Sequence, residues 1–477
     1  MNYNVKKIKT KDKYYLYDSV TSNILEIENS IEDEIDDAIT AINNNRKLET
    51  KAYQEIIEAI QNGLIKKLDN SQCDYWFDEN AYFDDLKNKN HLLIGVTEKC
   101  NMRCKYCVYG GHYKNERIHS EKEISYETTI NAINLFLDNT NSEHVIFNFY
   151  GGEPFLKFDV IKKSVDHISH KVNDYTVVIT SNGTLINDDV IDWFVSNENI
   201  HIYISLAGTK ETHDKLRVYK DGINGTFAQI KRNVMKIKDK DINAYRKRLN
   251  FVFNIFSENQ LFEIRDFWNK EEMFSGIENI PEVTMIDCLE DDGAVSQLGE
   301  KIINDIKDCG NPLDEYIHLL EEKKYDDIFV SYYDNKLISI HKRDTEDDRF
   351  TLSGVCRPFI HKFFVNVDGD VNICENFILE NYFGNVNTKF DINLIKNLLE
   401  KYKEARKNIC QECWARKICS LCYKDIFDRN GNVNNVRALK LCDNEKEVVE
   451  HLLVEYCTVL EKDPDLLNHL DERILVE

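Results

Sequence analysis

The stretch HLLIGVTEKCNMRCKYCVYGG, His91 to Gly111, begins as an uncharged apolar run and breaks into three cysteines spaced CxxxCxxC. The run HLLIGVT reads as a buried strand. The loop after it places Cys100, Cys104 and Cys107 within eight residues. A structural zinc or a closed iron–sulfur cluster takes four protein ligands. The loop therefore either borrows a distant fourth ligand or leaves a coordination position open.

Outward from this strand, five more apolar runs follow: HVIFNFYGG, YTVVITSNGT, IHIYISLAG, LNFVFNIF and EVTMID. All but the last are followed by an amphipathic stretch, such as SYETTINAINLFLDN with Ser125 placed to cap it. Strands and helices in alternation imply a parallel sheet with right-handed crossovers. Six units fall short of eight, which predicts an α/β fold with a partial (β/α)6 TIM-like barrel over residues 89–300. Barrel chemistry sits where strands end. TEKC, YGGEP, TSNGT and SLAG each close one of these strands, so four polar or glycine-rich ends should meet at one mouth.

The whole chain has 477 residues, enough for more than one core. Its formal charge of −23 argues against a nucleic-acid partner. MNYNVKK opens without a secretory apolar region, and no run is long enough to span a membrane, so a cytoplasmic protein is expected. Fourteen cysteines are too few for a disulfide scaffold, and a reducing compartment favours thiolates that hold metal.

Residues 1–88 read as a compact α+β module, with strand-like KYYLYDS and NILEIEN followed by helical periodicity. The polar stretch DNSQCDYWFDENAYFDDLKNKN separates it from the barrel. Residues 301–350 read as a charged helical bridge. Residues 351–477 form a second cysteine-rich domain, with CQECWARKICSLC at its centre. A zinc knuckle at Cys410–Cys422 is one reading of that segment.

The three-cysteine loop, with Tyr106 before its last cysteine, resembles that of radical S-adenosylmethionine (SAM) enzymes. This resemblance implies a [4Fe-4S] cluster on Cys100, Cys104 and Cys107, whose open iron takes the SAM amine and carboxylate. It also implies reductive SAM cleavage to a 5′-deoxyadenosyl radical that abstracts a substrate hydrogen. Gly151, Gly152, Glu153 and Pro154 resemble the segment that holds the SAM amino group. Ser181, Asn182 and Ser205 match positions near the ribose, and Arg217 one that pairs with the carboxylate. A guanidinium suits a carboxylate because it binds bidentately. Ala207 departs from the pattern, since relatives often carry aspartate there.

The later cysteines resemble the SPASM extension of these enzymes, which implies two auxiliary [4Fe-4S] clusters and three clusters in all. Cys410, Cys413, Cys419 and Cys442 would ligate the outer cluster; Cys356, Cys374 and Cys422 would ligate the inner one. Sulfatase-maturing relatives have CxxxC where this chain has Cys419-Ser-Leu-Cys422, and an extra cysteine where CRPFIHKFF has none. The inner cluster is thus one protein ligand short, to be completed by Cys288, Cys309 or Cys457, or by a substrate thiolate. Glu375, directly after Cys374, matches an acidic residue that acts as base in relatives.

The N-terminal module resembles the small winged-helix-like elements that bind leader sequences of ribosomally made peptides, with KYYLYDSVTSNILEI accepting the leader as an added strand. The implied enzyme is a SPASM peptide maturase of sactipeptide or ranthipeptide type, an oxidoreductase. It would abstract hydrogen from an α or β carbon and join that carbon to a cysteine sulfur as a thioether, an auxiliary cluster receiving the leftover electron. Its partners would be a precursor peptide with its leader and a flavodoxin- or ferredoxin-type electron donor. Two alternatives stay open: carbon–carbon bond formation or sulfatase-maturase-type Ser or Cys oxidation, and an iron–sulfur electron carrier or redox sensor that never cleaves SAM.

Overall fold

The computed structural model describes residues 2–68, 79–113, 116–288, 292–306, 309–343, 356–377, 379, 383–389, 391 and 393–473. Residues 69–78 of the expected linker, and the expected junction at 350/351, lie outside the described residues. The chain gathers into two compact units. One comprises Met1–Phe83, Tyr333–Cys356 and Ile395–Glu477; the other comprises Asp84–Tyr332 and Arg357–Leu394.

The first unit is assembled from three separate stretches of chain. Its antiparallel sheet runs β1 (Val5–Lys9), β2 (Tyr14–Asp18), β3 (Ile24–Ile27) in that order. The two strands read from sequence are β2 and β3. β1 went unread because three of its five residues are lysines. Helices Ile35–Asn43 and Lys51–Gln61 turn Ile35, Ala38, Ala52 and Ile56 onto the sheet residues Leu16 and Ile27. Thr50 caps the second helix by accepting from the Tyr53 N–H at 3.3 Å.

β2 is buried on both faces, because the distant parts of the unit cover it. Tyr17 is fully buried and lies edge-on to Trp414 at 6.4 Å between ring centres. The 28-residue helix Asn435–Lys462 lies beside β1, where Lys6 pairs with Glu450 at 2.7 Å.

The second unit is built on one eight-stranded sheet. Its strands are β4 (His91–Thr97), β5 (Val145–Gly151), β6 (Tyr175–Ser181), β7 (Ile200–Leu206), β8 (Leu249–Ile255), β9 (Glu282–Met285), β10 (Phe363–Val365) and β11 (Val371–Asn372). The order is β11-β10-β4-β5-β6-β7-β8-β9, with β4 to β9 parallel in chain order. All six expected strands are present.

β10 adds parallel to β4, and β11 antiparallel to β10. These two were not expected, since runs of three and two residues carry no readable period. Their presence explains why β4 is buried almost throughout: its outer edge is paired rather than open.

Residues alternate across the sheet. Phe147 packs on Phe136 of helix Tyr126–Leu137, and Phe251 on Trp268 of helix Gln260–Lys270. That face meets the helices, so the half-buried Asn148, Tyr150, His201, Tyr203 and Ser205 face the barrel interior. Among the described residues, no helix is long and apolar enough to cross a membrane.

Candidate functional site

The cysteine loop leaves β4 and is pinned by its backbone. The Arg103 N–H donates to the Val218 carbonyl at 2.8 Å, and the Lys105 N–H to that of Leu216 at 2.9 Å. The same segment carries Arg217 back to the loop, where its Nη1 donates to the Tyr106 hydroxyl at 2.7 Å. Burial works against the Arg217 charge, but the Cys104 thiol and the Tyr106 phenol outweigh it and raise its pKa.

The GGE turn locks onto this loop from β5. The Gly152 N–H donates to the Thr97 carbonyl at 2.7 Å, and the Glu153 N–H to that of Lys99 at 2.8 Å. A Cβ on Gly152 would lie 2.1 Å from the Lys99 carbonyl oxygen, and one on Gly151 would lie 2.3 Å from that of Thr97. Only glycine permits this approach. Gly152→Ala is expected to cost about 2–3 kcal/mol by overpacking, read as a lower denaturant midpoint; an unchanged midpoint would show that the turn can relax.

Glu153 is fully buried. One carboxylate oxygen accepts from Ser181 Oγ at 2.7 Å and the Phe155 N–H at 3.1 Å; the other accepts from the Asn182 N–H at 2.7 Å. Burial raises its pKa and these donors pull it back. Asn182 in turn reaches the loop, donating to Asn101 Oδ1 at 2.9 Å with its Nδ2 3.9 Å from Cys100 Sγ. Gly151, Gly152, Glu153, Ser181, Asn182, Tyr106 and Arg217 are therefore brought together around the loop. Pro154 opens the short turn Pro154–Lys157, and Ser205 lies at the interior end of β7.

The loop thiols suit an iron–sulfur cluster by their chemistry. Burial pushes Cys100 up to about 12 and Cys107 up to about 11, with neighbouring thiols adding to the shift. Thiols held up in this way become thiolates only against a strong positive centre. Among the described residues, no group of three or more His, Cys, Asp or Glu converges closely enough for a single metal ion. A cubane needs a wider ring of sulfurs than one ion does.

His119, which sequence reading missed, places Nε2 3.7 Å from Cys107 Sγ. Its Nδ1 faces the Glu98 carbonyl at 3.1 Å, an oxygen that only accepts, so Nδ1 carries the proton. A contact across twelve residues of loop leaves no mark in sequence spacing.

In the other unit, Cys410, Cys413, Cys419 and Cys442 line one cavity of about 130 Å³ together with Arg406 and Arg416. Burial pushes Cys410 up to about 12 and Cys442 up to about 11. Arg406 Nη1 lies 3.7 Å from Cys419 Sγ. This arginine was also missed, although four residues before Cys410 on helix Leu394–Cys410 it shares that cysteine's face.

Cys422 caps the short helix Tyr423–Ile426, and both it and Cys356 act electrostatically on buried Tyr423. Cys374 belongs to the barrel unit. Of the other candidates, Cys457 is fully buried, Cys288 is half-buried and Cys309 is exposed.

Glu375 Oε1 accepts from Lys362 Nζ at 3.0 Å, while its buried Oε2 has no partner among the described residues. Nearby His91 starts β4, and burial, with Lys362 adding, pushes it down to about 4 against the pull of Glu375. An unfolded histidine titrates near 6.5. The unfolded chain therefore binds the proton first, and stability falls as pH drops from about 6.5 towards 4. His91→Gln is expected to remove on the order of 1–2 kcal/mol of the stability difference between pH 7 and pH 5, measured by urea titration at both values; an unaltered difference refutes the assignment.

The barrel and its loop agree with what known proteins share with this chain. A cysteine-type anaerobic sulfatase-maturating enzyme of Clostridium novyi (strain NT) is 27% identical over 340 residues, 66% of this chain and 82% of that relative. The radical SAM cyclopropyl synthase TigE of Paramaledivibacter caminithermalis is 26% identical over 155 residues, 29% of this chain and 31% of that relative. The structure of native anSMEcpe with bound AdoMet and Cp18Cys peptide superposes with a TM-score of 0.53 at 19% identity, covering 81% of this chain and 100% of that one. The sequence profile of the Radical SAM superfamily matches residues 94–267, from β4 into the helix after β8 and across the cysteine loop, GGE turn and Arg217 segment, and the chain therefore carries a radical SAM domain.

Proposed function

We propose that this protein is a radical SAM peptide maturase that joins a cysteine sulfur of a ribosomally made precursor to an α or β carbon of an acceptor residue. The carrying observation is Glu375, whose Oε1 is held by Lys362 and whose buried Oε2 has no partner among the described residues, in the unit whose barrel also holds the cysteine loop. When bound to Cys100, Cys104 and Cys107, a SAM-ligated [4Fe-4S] cluster supplies hydrogen-atom abstraction. Gly151 to Pro154, Ser181, Asn182, Ser205, Tyr106 and Arg217 orient SAM. Glu375 takes the thiol proton as the carbon–sulfur bond forms, and the electron left over would pass to an auxiliary cluster.

Cys410, Cys413, Cys419 and Cys442 would hold an outer auxiliary cluster, and Cys356, Cys374 and Cys422 an inner one with a position left for the substrate thiolate. A flavodoxin- or ferredoxin-type donor would supply electrons. The N-terminal sheet would bind the leader along β3, which pairs only with β2 among the described strands. It borders a groove of about 260 Å³ lined by Leu25, Ile27, Ile56 and Ala59.

A second reading, oxidation of a substrate cysteine to an aldehyde, is favoured by the similarity to the sulfatase-maturating enzyme. Mass spectrometry after anaerobic reaction with a cysteine-rich peptide encoded beside the gene separates the two. A thioether removes two hydrogens and one alkylatable thiol while keeping the sulfur. Loss of the sulfur with a new carbonyl would overturn the first reading in favour of the second.

A further inference from the structure

Arg117 is a half-buried residue of the barrel unit whose guanidinium nitrogens Nε, Nη1 and Nη2 are themselves buried and have no hydrogen-bond partner among the described residues. Its guanidinium carbon lies 3.9 Å from the centre of the Tyr109 ring, a cation–π contact that holds the group without supplying a hydrogen-bond acceptor. A buried guanidinium without an acceptor is costly. The neighbouring carboxylates do not meet it: Glu98 Oε2 accepts from Ser120 Oγ, and Glu375 Oε1 accepts from Lys362. Arg117 and Glu375 each act electrostatically on both Tyr109 and Tyr150, and Tyr150 also feels Cys107. Arg117 thus shares Tyr109 and Tyr150 with the candidate base, and Tyr109 stands two residues after Cys107 of the cysteine loop.

We infer that Arg117 is a specificity-determining residue whose guanidinium receives a carboxylate side chain of the substrate, seating an acidic residue beside the reacting carbon. A carboxylate satisfies the planar donor edge in a bidentate way that an amide cannot. The inference rests on the peptide-maturase reading for the identity of the substrate.

The test uses reconstituted enzyme with SAM under anaerobic conditions and fluorescein-labelled synthetic peptides followed by anisotropy. Each peptide holds one cysteine and one aspartate at varied spacing, with a partner carrying asparagine instead. The wild type should bind the best aspartate peptide at least about tenfold more tightly than its asparagine partner. Arg117→Gln should bring the aspartate peptide down to the asparagine level. If Arg117→Gln loses its iron, Arg117→Lys carries the test, keeping the charge but lowering the preference at least about threefold.

Equal binding of the two peptides by the wild type, or a preference that survives substitution, overturns the inference while the maturase reading stands. A parallel titration with glutarate separates the other case. Arg117-dependent glutarate binding without peptide binding upholds the carboxylate site and sinks the peptide reading. Binding of neither overturns the inference.

Discussion

Cys104→Ala is expected to reduce SAM cleavage by the reconstituted enzyme to background and to lower bound iron by about four atoms per chain. Cys104 is half-buried and lies on a loop whose neighbours, Arg103 and Lys105, are held through their backbones. Removing its sulfur therefore leaves the loop path intact while taking away one of three cluster ligands. Two thiolates cannot retain a cubane against loss to solvent. The matched control is Cys457→Ala, because Cys457 is fully buried in helix Asn435–Lys462 and its thiol is pushed up to about 12 by burial. That substitution should cost about 1–2 kcal/mol in packing with iron unchanged. Sustained SAM cleavage by Cys104→Ala would end the radical reading of the loop. Three clusters require about twelve iron per chain, so a wild-type count near four would remove the auxiliary clusters from the proposal.

Glu375→Gln is expected to leave SAM cleavage in place and to slow formation of modified peptide by about 10²–10⁴-fold, the usual share of a general base. The amide keeps the shape of the side chain and cannot take a proton. Its structural cost should be small, since Lys362 is 36% exposed and Glu375 15%, a pair worth at most about 1 kcal/mol. A change in product rate without a change in stability is thus the expected signature. Quantification of 5′-deoxyadenosine beside modified peptide makes the distinction, and full product yield from the variant would remove Glu375 as the base.

The sequence made the barrel legible where strands were seven residues long and mostly apolar, as in HLLIGVT and HVIFNFY. It failed where strands were short, as at Phe363–Val365, or rich in lysine, as at Val5–Lys9. The 28-residue helix Asn435–Lys462 went unread although its length is ample, because exposed Val436, Leu439 and Val448 blur its apolar period. At the site, residues within a motif could be named, whereas residues that support a motif from elsewhere could not. Glu153 was readable as part of GGEP; that its carboxylate braces Ser181 and Asn182 across 28 and 29 residues was not. Arg117 had no motif at all, and only its unmet donors reveal it.

The assembly of the first unit from three stretches bears on how the protein can be taken apart and how it is made. Tyr17 is sealed by Trp414, and Lys6 is paired with Glu450, so a fragment of residues 1–88 would present bare aromatic surface to water. Such a fragment is a poor bait for a leader peptide, since sticky binding would mimic recognition. On the ribosome the same sheet waits for partners made more than 300 residues later, so a segment that emerges before them settles only after they follow.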